Sequence, residues 1–169
     1  MIKKIIWSLV FILAAALIQS TIFSRLASYI YAKPDLALCI LVYTAYVNGA
    51  MTGQVAGFFS GIILDFISGA PLGFNSFIRT LIGGITGFLK GTFYLDPIFL
   101  PMALCAAATI IKALLYYLLH LLFSGLIPHY SLFSLVFWVE LGMNTLLAPF
   151  LFALLKLFHP LLIGIRENN

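Results

Sequence analysis

Residues 49–73 read GAMTGQVAGFFSGIILDFISGAPLG, and this stretch decides the fold. Gly49, Gly53, Gly57 and Gly61 recur every four residues, and Asp65 and Gly69 continue the spacing. On a helix of about 3.6 residues per turn, that period leaves one stripe of nearly bare backbone along a segment that is otherwise apolar. The segment closes on Gly69-Ala70-Pro71-Leu72-Gly73, residues that break helices and supply the dihedrals of a tight reversal. The next apolar run repeats the device with Gly83, Gly87 and Gly91, and Gly84 beside them. Between helices in lipid there is little hydrophobic drive, so small-xxx-small stripes that let backbones approach are the usual source of packing contacts. The spacing therefore predicts two membrane-spanning helices, over about 51–68 and 74–94, packed closely as a hairpin with a right-handed crossing.

The rest of the chain agrees with a lipid solvent. Of 169 residues, 63% are hydrophobic and 8% charged, with mean hydropathy +1.15. An ordinary soluble domain has roughly 45–50% apolar and about 25% charged residues, so a water-soluble globule is excluded. Outward from the hairpin, the pattern predicts four more spans, over about 5–24, 35–48, 98–123 and 132–158. Lys3-Lys4 before an apolar run resembles a signal peptide, but hydrophobicity resumes at Ile22-Phe23 and the run is read as a retained first span. Lys33-Pro34-Asp35 opens the second span, with proline and an acid both suited to a helix N-terminus. Asp96-Pro97 marks a reversal, Pro101 falls in the first turns of the fifth span, Gly125 to Tyr130 with Pro128 closes it, and Pro149 is expected to kink the sixth. The expectation is a single polytopic domain over 1–169, an all-α integral membrane bundle of six transmembrane helices.

Charges are scarce enough to be read one by one. Lys3, Lys4, Lys90, Lys156 and Arg166 fall on one side of a six-span topology and Arg25 and Lys33 on the other, which places both termini in the cytoplasm. The net charge of +4 then reflects topology and lipid headgroups, with no basic stripe that would suit nucleic acid. Trp7, Tyr29, Tyr31 and Tyr94 fit an interfacial belt. Asp65, Arg79, Lys112 and Glu140 lie inside predicted spans, where a charge is costly and needs a partner. Asp65 and Arg79 flank one turn at nearly matched depth, about 6 and 9 Å in at helical rise, so they are expected to pair; Lys112 and Glu140 are expected to pair across the last two spans. Cys39 and Cys105 read as small packing residues.

A catalytic reading finds little support. His120, His129 and His159 have no metal-ligand spacing. Phe88-Leu89-Lys90-Gly91-Thr92 lacks the order of a phosphate-binding loop, and no serine or acidic pair has a catalytic context. The expectation is a chain that is not an enzyme and carries no cofactor or metal.

Pro34-Asp35, the Gly53-Gly57-Gly61 ladder running into Leu64-Asp65-Phe66-Ile67-Ser68-Gly69-Ala70-Pro71-Leu72-Gly73, and the late Asn144 to Pro149 stretch together resemble the bacterial rod shape-determining membrane protein family MreD. The resemblance covers the chain end to end in span count and length, and its family motif falls on Asp65, Gly69, Leu72 and Gly73, with Asn144, Pro149 and Lys156 as weaker matches. It implies a fold similar to the six-span substrate-binding subunits of energy-coupling-factor transporters. It also implies a non-enzymatic scaffold of the cell-elongation machinery that binds MreC and, through it, links MreB filaments to RodA and a class-B penicillin-binding transpeptidase. In that reading the glycine-lined face, or an apolar groove beside it, receives a partner's helix. The alternative is a small-molecule subunit of a transporter, binding a vitamin-like solute among Asn75, Ser76, Arg79, Tyr130 and Glu140.

Overall fold

The computed structural model describes residues 2–26, 33–92, 98–123, 133–158 and 162. Within them the chain forms six helices: α1 (Ile2–Leu26), α2 (Leu36–Asn48), α3 (Ala50–Ser68), α4 (Phe74–Phe88), α5 (Phe99–Leu122) and α6 (Leu135–Leu157). The expected roles of Tyr29, Tyr31, Tyr94, Asp96-Pro97, Gly125 to Tyr130, His159, Arg166 and the Arg25 side chain lie outside the described residues.

Four of the six helices, α1, α3, α5 and α6, are long and apolar enough to cross a bilayer. The other two are short: α2 has 13 residues and α4 has 15. At about 1.5 Å per residue they span roughly 20 and 22 Å, less than the ~30 Å of a hydrocarbon core. The shortness of α2 follows from its place. Every residue from Ala37 to Ala45 is buried, and the helix packs against α1, α3, α4, α5 and α6. It is the axis of the bundle, and the others surround it.

The outer faces of the ring helices carry large apolar side chains, among them Phe66, Phe88, Leu121, Phe150 and Leu157, each more than 60% exposed. In water such a surface would aggregate; in lipid it is the solvated face.

α3 and α4 run antiparallel and meet backbone to backbone. A Cβ built on Gly53 would sit 2.2 Å from the Gly83 carbonyl oxygen, and one on Gly83 would sit 2.2 Å from that of Gly53. A Cβ on Gly57 would likewise collide with the Arg79 carbonyl, one on Gly61 with the Ser76 backbone and one on Gly87 with the Ala50 backbone. Gly84 faces only the Gln54 side chain. The Ser76 hydroxyl adds a hydrogen bond to the Phe58 carbonyl across the seam, at 2.9 Å.

Gly91 departs from the expected ladder. α4 stops at Phe88 rather than near Tyr94, because Leu89, Lys90 and Thr92 turn back onto the carbonyls of Thr86, Gly87 and Leu89. Gly91 adopts φ +73° in that turn with open space around it, so it serves a reversal and not the seam. The hairpin's other turn uses Gly69 (φ +67°) to close α3 and Gly73 (φ +92°) to open α4, two left-handed positions that favour glycine.

The seam predicts unequal responses to one added methyl. Gly53→Ala or Gly57→Ala forces backbone apart and should cost about 1–3 kcal/mol, the usual range for overpacking. Gly142→Ala, on α6 where nothing lies within 4 Å, should be neutral or slightly stabilising. Thermal melting in detergent checks the contrast, and equal melting temperatures for the three variants would refute it.

Candidate functional site

The end of the bundle formed by the start of α2, the α3–α4 turn, the later half of α5 and the start of α6 holds a buried polar network. Its centre is Asp35. The residue caps α2, its carboxylate accepting from the Leu38 N–H at 3.0 Å, the usual use of aspartate at a helix start. The same carboxylate accepts from Arg79 Nη2 on α4 at 2.8 Å through Oδ1 and from Lys112 Nζ on α5 at 2.9 Å through Oδ2. Lys112 also donates to Glu140 Oε1 on α6. Two carboxylates and two cations thus neutralise one another while joining four helices.

Their side chains are 3–13% exposed. Charges so placed are tolerated when paired and hydrogen-bonded, and removing one partner strands another. Arg79 Nη1 has no protein acceptor among the described residues and is buried, a donor that suits an ordered water.

Asn144, fully buried, extends the network toward the middle of the bundle. Its Oδ1 accepts from the Asp35 N–H at 2.8 Å, and its Nδ2 donates to Thr109 Oγ1 at 3.0 Å. Thr109 in turn donates to the Cys105 carbonyl at 2.8 Å. Cys39 and Cys105 are both free and buried, as small packing residues should be.

Asp65 does something different from the expected pairing. Its carboxylate accepts from the Gly73 and Asn75 N–H groups and from Asn75 Nδ2, each at 2.9 Å. The first turn of α4 has orphan amides and a positive dipole end, and a carboxylate from the last turn of α3 satisfies both. The anticipated Asp65–Arg79 pair is therefore replaced. Asp65 is committed to the α4 N-terminus, and Arg79, further along α4, pairs with Asp35 instead. The Tyr116 hydroxyl donates to Asn75 Oδ1 at 2.6 Å. Asn75 and Arg79 are one turn apart on α4, as are Tyr116 and Lys112 on α5, so the Asp65 cap and the Asp35 quartet share two helix faces.

Lys112 and Glu140 are joined as their spacing suggests, with Asp35 as a third member. Sequence reasoning missed Asp35, Thr109 and Tyr116 as parts of this site. The signal for Asp35 was its place after Pro34, read only as a helix start. Of the remaining motif residues, Leu72 projects from the turn, 70% exposed, and Pro149 sits in an α6 that continues unbroken to Leu157. The seam glycines Gly53, Gly57, Gly61, Gly83 and Gly87 face the other strand of their own hairpin, which leaves that stripe closed to another protein's helix. No cluster that could hold a metal ion occurs among the described residues.

Lipid-facing helices around a buried, charge-neutral lock define a multi-pass membrane protein whose polar groups hold helices together. The sequence profile of the family described as rod shape-determining protein MreD matches residues 1–158, which takes in all six helices, and the chain belongs to that family. It is a rod shape-determining membrane protein, from a family of shape-determination components. No curated protein and no solved structure gives a match.

The two acids at this end should differ in weight. Asp35→Ala strands Arg79 and strips Lys112 of one partner, with an expected loss of about 3–5 kcal/mol, the range for breaking a buried pair. Asp65→Ala removes a cap and should cost about 0.5–2 kcal/mol. Melting temperature and detergent-extracted yield read the order, and an Asp65→Ala variant as damaged as Asp35→Ala would refute it.

Proposed function

We propose that this chain is a non-enzymatic scaffold of the bacterial cell-elongation complex, resident in the cytoplasmic membrane with both termini inside. It binds MreC, and through MreC it couples MreB filaments to RodA and a class-B penicillin-binding transpeptidase, and so to peptidoglycan synthesis and cell shape. The observation that carries this reading is the family match over residues 1–158. The network supports it: the four charges of the quartet are engaged with one another, an arrangement suited to fixing a shape that another protein can recognise.

With the glycine seam closed, a partner helix has the outward apolar rows to meet. One such row on α4 is Phe77, Leu81, Ile85 and Phe88, all exposed. Rows of this spacing are what a single membrane helix packs against.

The second reading, a small-molecule subunit with the energy-coupling-factor fold, draws on a cleft of about 290 Å³ beside the α3–α4 turn, lined in part by Ser68, Asn75 and Tyr116. That is at the small end for a ligand site. Stabilisation by a member of a vitamin panel would favour it over the scaffold.

Two measurements test the proposal. Tagged chain co-expressed with MreC should retain it through detergent extraction and gel filtration, and a chain that elutes alone beside abundant MreC would overturn the partner. In intact cells Lys33→Cys should react with a membrane-impermeant maleimide, whereas Lys90→Cys should react only after permeabilisation. The opposite pattern would invert the topology.

A further inference from the structure

The end of the bundle opposite the polar network has a different character among the described residues. There a cleft of about 400 Å³ lies between α2, α5 and α6. Its lining is mainly apolar: Tyr43 and Phe152 meet edge to face with ring centroids 5.0 Å apart, and Pro101 and Pro149 stand on either side. Ala153 is small and exposed where a larger side chain would fill the opening. Lys156, in the last turn of α6, is exposed at the same cleft.

The described charged residues at this end are all basic. Lys3 and Lys4 begin α1, whose Phe11 packs on Phe158 just past α6. Lys90 lies beside Gly49 at the foot of α2, its Cδ 3.6 Å from where a glycine Cβ would be. The described carboxylates of Asp35, Asp65 and Glu140 all belong to the network at the other end, and no ion pair among the described residues engages Lys156. A mainly apolar cleft with an exposed lysine in the last turn of α6 is complementary to a molecule with a hydrocarbon tail and an anionic head.

We propose that this cleft binds one anionic glycerophospholipid, an acyl chain lying against Tyr43, Phe152 and Ala153 and the phosphate on Lys156. The exposed ammonium of Lys156 at the cleft argues for a lipid with an anionic head over an apolar partner helix. Lysine suits the head because its stem lies along apolar surface while the ammonium reaches the interface. The inference rests on the membrane character of the chain and is independent of MreC.

Delipidated wild-type chain, mixed with equal amounts of dioleoyl phosphatidylglycerol and dioleoyl phosphatidylcholine and read by native mass spectrometry, tests it. A single phosphatidylglycerol adduct should be favoured by about fivefold, the contribution of one lysine near an anionic surface. Lys156→Gln, an exposed position that leaves the fold intact, should bring the two lipids level, and Ala153→Phe should remove the adduct. Lys90→Gln should leave the preference in place. Equal retention of both lipids by the wild-type chain, or a preference that survives Lys156→Gln, overturns the proposal. Cross-linking of Ala153→Cys to a second protein in cells overturns it too, by giving the cleft to a helix.

Discussion

The bundle depends on one carboxylate. Asp35 caps α2, holds Arg79 of α4 and Lys112 of α5, and through Lys112 and Asn144 reaches α6. Lipid tails are as apolar as leucine, so burial of apolar surface does not tell membrane helices how to rotate or slide against one another. A buried charge does, because any register that separates it from its partners leaves an uncompensated ion in a low-dielectric medium. The α3–α4 hairpin is fixed by other means, a steric fit of glycine on backbone that tolerates no added atom. Asn75 links the hairpin to α5 beside the quartet: it takes part in the Asp65 cap and accepts from Tyr116, one turn from Lys112.

Much of this was legible in the residues, for physical reasons that differ from one feature to the next. A four-residue glycine period has few meanings in an apolar segment, so the close hairpin could be read directly. Lys112 and Glu140 could be matched because they lie in consecutive spans and lysine's long stem can close an offset in depth. Depth alone misled for Asp65 and Arg79. They flank the same turn, but depth says nothing about which way each side chain points around its helix, and the α4 amides compete for the Asp65 carboxylate. Counting charges hid Asp35, because two acids and two bases inside the spans already balanced. An aspartate after proline has an ordinary explanation as a helix start, and here it has that role and a second one. Gly91 was misassigned because glycine serves seams and turns equally well, and spacing does not separate the two uses.

For a family of shape-determination components, the division of labour between inside and outside of the bundle is informative. The polar groups and the seam glycines point inward and set the shape. The outward surface is left to phenylalanine, leucine and isoleucine, which can face lipid or another helix with little change in free energy.

The shortness of α2 bears on how the chain enters the membrane at all. Thirteen residues are too few to partition across a bilayer unaided, and α4 carries an arginine in its middle. Neither helix is a good client for insertion one segment at a time. α2 follows α1 in the order of synthesis and packs on α1 and α3, yet the partners of Asp35 come from α4, α5 and α6, which complete its burial. The residues around Asp35 thus meet their partners only when the later helices have been made, so the order of synthesis, as well as stability, bears on them.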